Sequence, residues 1–238
     1  MLFLATSRRI LSLTGVLAIA LSFEAKAADN QPPSGFVALF NGKDLTGWRG
    51  LPKGDLQNPA KRAQASANDL ATAQKEADED MRAHWMAVDG VIEFDGKGRS
   101  LCTAKDYGDF ELLCDWKILA DGDSGIYLRG SPQVQIWDPA SNVAKGVGSG
   151  GLFNNQKKEN PSQPSNVADK PIGEWNHFRI KMVGDKVSVW LNEELVVDNV
   201  VLENYWERDK PIYPTGQIEL QNHGNHLYFK NIYIRELK

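Results

Sequence analysis

Tyr127, Arg129, Gln135 and Asp138 fall within one stretch, Ser124 to Asp138 (SGIYLRGSPQVQIWD), whose period-two alternation reads as two strands. The spacing predicts strands at Gly125–Arg129 and Gln133–Trp137, joined by Gly130-Ser131-Pro132. Alternation places Ile126 and Leu128 on one side of the first strand, and Val134 and Ile136 on one side of the second. Tyr127 and Arg129, with Gln133, Gln135 and Trp137, are left to form the other side. Arginine offers a rigid fork of donors, glutamine both donates and accepts, and a Tyr or Trp ring stacks on a sugar face. Such a face is poor core and good carbohydrate-binding surface. The bland alternative makes Arg129 a salt-bridged rim residue and Asp138 a cap on the turn at Pro139.

A second patch, Gly216 to Gly224 (GQIELQNHG), alternates Gln217, Glu219, Gln221 and His223 against Ile218, Leu220 and Asn222. A Glu and a His at one strand end are candidate acid–base groups. His223 leads them, because imidazole alone has an unperturbed pKa of about 6.5. A structural carboxylate and a loop-tying imidazole are the alternatives. In Asp121-Gly122-Asp123-Ser124, carboxylates at i and i+2 of a turn are candidate calcium ligands, although turn composition alone often produces that pattern. Glu193 and Glu194 read as solvent-facing turn residues, and Trp175 and His177 in GEWNHF as packing and loop-tying groups. No three carboxylates alternate along one strand, as a retaining sandwich glycosidase would show.

The elements that must position these groups are mostly strands. After a polar lead-in, Phe36–Phe40 and Leu45–Trp48 flank an Asn41–Asp44 turn. From His84 onward come Trp85–Val88, Val91–Phe94, Leu101–Thr103, Phe110–Ile118, the two strands above, Trp175–Val183, Lys186–Leu191, Leu195–Val201, Gly216–Gln221 and Leu227–Leu237. Many short strands with hairpin-scale turns predict an all-β fold, a concanavalin A-like β-sandwich or jelly roll. One helical insertion interrupts it, about 57–83, opening at Pro59 with a thin apolar stripe of Leu70, Ala73, Ala77 and Met81. The insertion reads as lying on the sandwich surface, with a lid over the site as the alternative. Residues 139–170 carry Gly, Asn, Ser and Pro without periodicity and read as a long loop.

Arg8 and Arg9, an apolar run from Ile10 to Phe23 and Ala25-Lys26-Ala27 form an export-signal pattern, so 1–27 reads as a signal peptide and 28–238 as one domain. A membrane anchor is disfavoured, because the run is shorter than the roughly 20 residues a span requires. The expected location is the periplasm or the exterior, with no stable membrane insertion. The chain's net charge of −4 becomes −6 without 1–27, 24 basic against 30 acidic residues. That balance argues against nucleic acid as a partner and is compatible with a small-molecule or oligosaccharide substrate. Cys102 and Cys114 are equally consistent with a disulfide and with two buried thiols. No nucleotide loop, HExxH zinc motif or GxSxG elbow is present.

FVALFNGKDLTGW, LCTAKDYGDFELLCDWKI, SGIYLRG, VQIWD, GEWNHFRIKMVGDKVSVWLN and TGQIELQNHG followed by LYFKNIYIREL together resemble the 3-keto-disaccharide hydrolase family. The resemblance runs from about Phe36 to Leu237 and is interrupted from Leu51 to Arg82. It implies a concanavalin-like sandwich and a substrate oxidised at C3, whose ketone acidifies the C2 proton. Proton removal and loss of the C1 aglycone leave a 2-hydroxyglucal, to which water adds. That chemistry needs a base near C2, a donor to the leaving oxygen and groups that stabilise an enolate. By position His223 is the expected base. Arg129 and Gln135 are the expected oxyanion and hydroxyl readers, and Asp138 or Glu219 the partner that orients or protonates. Tyr127, Trp137, Gln217 and Gln221 complete the sugar surface, and a divalent metal is an alternative to Arg129 beside the enolate. Pro132-Gln133 stands where relatives often carry an acidic residue. A non-catalytic glycan-binding module and a conventional glycoside hydrolase remain the competing readings.

Overall fold

A computed structural model describes residues 29–237, so the export-signal reading of 1–27 lies outside the described residues. Among the described residues thirteen strands form two sheets. The larger sheet contains β3 (Trp85–Val88), β4 (Val91–Asp95), β6 (Phe110–Ile118), β9 (Asn176–Val183), β10 (Lys186–Leu191), β11 (Glu194–Val201) and β13 (His226–Glu236). Its order is β11-β10-β9-β6-β13-β4-β3, with β1 (Val37–Ala38) paired to β13. The smaller sheet runs β2-β5-β12-β7-β8, from β2 (Trp48–Gly50) and β5 (Leu101–Thr103) through β12 (Glu219–Leu220) to β7 (Asp123–Leu128) and β8 (Ser131–Trp137). The expected all-β class is therefore present as a mostly β, two-sheet fold with one helical insertion.

Alternation fills the space between the sheets. Along β6, Phe110, Leu112, Cys114, Trp116 and Ile118 are all buried, and they join one apolar cluster with Ile126, Leu128, Val134, Ile136, Ile218 and Leu220 of the smaller sheet. The other side of the smaller sheet is thereby left to Tyr127, Gln135, Gln217 and Glu219. Cys102 and Cys114 are both buried free thiols, one in each sheet, so no disulfide joins the layers.

The insertion is two helices rather than one continuous segment. A short α1 (Pro59–Arg62) is followed by α2 (Ala67–His84). Ser66 separates them, its side chain accepting from the Asp69 amide, so the capping signal lay in Ser66-x-x-Asp69. Edge strand β2 has unpaired backbone groups, and α2 covers them: Gly50 N donates to Asp78 Oδ1 at 3.0 Å, and Gln74 Nε2 donates to Gly50 O at 2.9 Å. A Cβ on Gly50 would lie 2.0 Å from Ala77 O, so only glycine permits this approach. No described helix is long and apolar enough to cross a membrane.

The 125–137 hairpin differs in its register from the expectation. Its turn is Arg129-Gly130, both at positive φ (54° and 67°), and β8 starts at Ser131 rather than Gln133. Positive φ at both central residues is the two-residue hairpin turn that matches strand twist. Alternation therefore ends at Leu128, and Arg129 does not share Tyr127's face.

Candidate functional site

A row of side chains crosses all five strands of the smaller sheet: Arg49, Cys102, Glu219, Tyr127 and Gln133, each the Cα partner of the next. Cα partners share a face, so this row is the polar side of the sheet. Gly125 pairs with Gln135 in the next row, and Asp123 with Trp137 beyond it. A Cβ on Gly125 would meet three Gln133 side-chain atoms at 3.0–3.1 Å, so the glycine makes room for that amide.

Glu219 is the electrostatic centre. It is only 6% exposed, and burial pushes its carboxyl up to about 7, against the lowering effect of hydrogen bonds from Ser100 and Gln217 and the charge of Arg62. Tyr127, across the strand pair, has its hydroxyl pKa raised by burial and then by Glu219, Tyr205 and Asp123. The phenol therefore stays protonated at neutral pH. Cys102 is likewise held as a thiol, chiefly by burial.

The amides form a chain leading away from this centre. Gln133 Nε2 donates to Gln135 Oε1, and Gln135 Nε2 donates to Asp123 Oδ1 at 2.8 Å. His223 Nδ1 lies 3.6 Å from Asp123 Oδ2. Two amide oxygens of the face, Gln133 Oε1 and Gln221 Oε1, are buried without a hydrogen-bond partner. Such acceptors are open to donors from a sugar hydroxyl or from water.

Three loops wall the face. Tyr205 N donates to Ser131 Oγ at 3.0 Å and Trp206 Nε1 to Gly130 O at 2.9 Å, which brings Tyr205 near Tyr127 with the Trp206 ring edge-on to Tyr205. The 139–170 loop follows β8, with Gln135 N donating to Gly151 O and Gly150 N to Gln135 O. It sets Phe153 edge-on to Trp137, 5.6 Å between ring centres. Buried Glu203 ties the loop down by accepting from Gln156 N, Lys157 N and Asn160 Nδ2. On the third side the insertion delivers Arg62, whose Nη2 donates to Gln217 Oε1 at 2.7 Å. Arg49 reaches the same oxygen at 3.3 Å.

Of the residues expected from sequence, Tyr127, Gln135, Gln217, Glu219 and Gln221 share this face, with Trp137 at its far end. His223 stands just past β12 with its side chain 56% exposed, against Asp123 rather than Glu219. Arg129 is off the face and walled in, 2% exposed, donating to Gly108 O, Tyr213 O and Asp109 Oδ1. With its fork used up on the hairpin's surroundings, it is a brace and not an oxyanion reader. Asp138 is a turn cap, accepting from Asp121 N at 3.0 Å and Ala140 N at 2.9 Å. Asp121 is an exposed turn residue at φ 58°, while Asp123 is engaged by Gln135, so the pair does not converge as metal ligands. No group of three or more His, Cys, Asp or Glu among the described residues is disposed to hold a metal.

Sequence reasoning missed Arg49, Cys102, Tyr205 and Arg62. The first two follow from extending the alternation outward from Trp48 and Leu101. Nothing in the periodicity of Pro59–Arg62 singles out Arg62, because its role depends on how α1 docks.

Three comparisons with known proteins bear on this geometry. Residues 35–235 match the model of a family described as a 3-keto-alpha-glucoside-1,2-lyase-like domain. A 3-keto-disaccharide hydrolase of Bacteroides thetaiotaomicron is 25% identical over 284 aligned residues, covering 93% of this chain and 87% of that one. The crystal structure of a provisionally named glycosyl hydrolase from Parabacteroides distasonis superposes with a TM-score of 0.59 at 26% identity, over 89% of this chain and all of that one. A second from the same organism has a TM-score of 0.58 at 24% identity, over 95% of this chain and all of that one.

Proposed function

Because this chain belongs to the 3-keto-alpha-glucoside-1,2-lyase-like family, we propose that it releases the aglycone of a 3-keto-glycoside by β-elimination, with Glu219 as the base. The carboxylate takes the C2 proton, whose electrons form the C1–C2 double bond through a 3-enolate as the C1–O bond breaks. The departing oxygen gains a proton, and water adds to the 2-hydroxyglucal in a second step. The observation that carries this reading is a buried carboxyl at about 7 in the middle of a polar row, opposite a protonated phenol. A base with a pKa near working pH both accepts and returns a proton efficiently. Tyr127 supplies the donor to the enolate or leaving oxygen, and the unpaired oxygens of Gln133 and Gln221 accept from sugar hydroxyls.

The spacing of carboxylates favours this chemistry over conventional hydrolysis. By backbone position Asp123 is four residues along β7 from Glu219's partner Tyr127, roughly 13 Å of strand, and its carboxylate is engaged by Gln135 Nε2 and faces His223 Nδ1. The paired carboxyls of glycosidases stand about 5–10 Å apart. The export-signal pattern at 1–27 supports action outside the cytoplasm, and the family resemblance supports the concanavalin-like form of the sandwich.

The test is to incubate the protein with 3-keto-trehalose and with 3-keto-glucosides deuterated at C2, following released sugar and label. Release with loss of deuterium from C2 is the expected result. Absence of turnover across several 3-keto substrates, with retained sugar binding, would replace the enzyme by a glycan-binding module.

A further inference from the structure

Beside the Glu219 row is a feature that the elimination does not use. A cavity of about 710 Å³ opens between α1, α2 and residues 213–216. Its lining places two guanidiniums, Arg49 and Arg62, among apolar groups such as Pro59, Ala63, Leu70 and Pro214. Both guanidiniums donate to a single neutral oxygen, Gln217 Oε1, at 3.3 and 2.7 Å. Neither lies within 4.0 Å of a carboxylate oxygen among the described residues, whereas Arg99, Arg129, Arg179, Arg208 and Arg235 each do. Asp106, exposed, is the one carboxylate of the lining.

Arg62 Nη1 donates besides to Leu56 O at 3.2 Å, so the two cations meet only neutral acceptors and no facing anion among the described residues. Burial above all disfavours the charge on Arg62, and the neighbouring charge of Arg49 adds to this against the favouring effect of Cys102, Asp106 and Glu219. An anion between the two would relieve both effects, and the planar fork of arginine suits a carboxylate. The apolar walls call for a hydrophobic body attached to that anion. Position supplies the link to the reaction. Gln217 precedes Glu219 by two residues on the same face, about 7 Å away, roughly the reach of one sugar ring. A sugar with C2 over Glu219 and C1 turned toward Gln217 sends its aglycone into the cavity.

We infer that this cavity is an aglycone subsite selective for a flat, largely apolar aglycone bearing a carboxylate, such as a benzoate, held between Arg49 and Arg62. The assignment to an aglycone rests on the elimination proposed for Glu219; the anion site itself does not.

The experiment compares the 3-keto-glucosides of 4-hydroxybenzoate and of methyl 4-hydroxybenzoate, whose phenol is the better leaving group. Alongside, each free phenol is titrated by calorimetry into the wild type, R49Q/R62Q and R62K, with thermal melts as a check on folding. The expected kcat/KM ratio favours the carboxylate by at least about 10-fold in the wild type, falls to about one in R49Q/R62Q, and is partly restored in R62K. Free 4-hydroxybenzoate should bind saturably only where the arginines remain. Equal turnover of the two glucosides without saturable benzoate binding would overturn the subsite and leave the elimination standing. Saturable, arginine-dependent benzoate binding with no turnover of either glucoside would overturn the aglycone assignment and the elimination reading together, sparing only the anion site.

Discussion

Glu219 and Tyr127 face one another across the β12–β7 pair as Cα partners, the carboxyl held near neutrality by burial and the phenol held protonated beside it. That juxtaposition puts an acceptor and a donor of protons on one face, flanked by amides whose oxygens lack partners.

Replacing Glu219 with Gln removes the base while keeping the shape. We expect kcat/KM toward a 3-keto-glucoside to fall by about 100-fold or more. The wild-type rate should rise with pH through about 7, as the carboxylate forms. H223Q, by contrast, should stay within about 3-fold of wild type, because His223 is not positioned with Glu219. A larger loss in H223Q than in E219Q would return the base role to the histidine.

The same substitution has a signature in stability. Glu219 binds its proton more tightly folded, at about 7, than unfolded, at 4.5. Between those pH values the native state carries more protons, so stability falls as pH rises and the loss is complete above about 7. The gap corresponds to about 3 kcal/mol at most. E219Q escapes this loss, so its melting temperature should exceed that of wild type at pH 8, with the advantage shrinking toward pH 5. Melts in both buffers that show a constant offset would contradict the assigned shift.

Tyr127→Phe deletes the donor and keeps the ring. A drop of about 10- to 100-fold in kcat/KM, with an unchanged melt, is expected. An unaffected rate would mean that the leaving oxygen takes its proton elsewhere.

Two positions should act through the scaffold. Arg129→Met strands the acceptors Gly108 O, Tyr213 O and Asp109, and should cost about 2–4 kcal/mol by urea denaturation. Its kcat/KM per folded molecule should remain within about 3-fold of wild type. Gly50→Ala forces a methyl against Ala77 O and should destabilise by about 1–3 kcal/mol, loosening α2 from β2. Selective proteolysis within 59–84 would report that loosening.

The chain's local chemistry by itself determined a good deal. Alternating apolar residues such as Leu112, Cys114 and Trp116 specify strands and one buried side, because a period of two has only one way to face a core. The same rule left Tyr127, Gln135, Gln217, Glu219 and Gln221 on the polar side, and they are found there. Tertiary structure decided what depends on termination and docking. Alternation says nothing about where a strand stops, so the positive-φ turn at Arg129-Gly130 took Arg129 off the face. Nor does sequence position reveal desolvation: Glu219 and His223 look alike as acid–base candidates until packing buries one and leaves the other in water. Arg62 joins the site only because α1 settles against Gly130 and Gln217, a contact between segments more than sixty residues apart that no local pattern encodes.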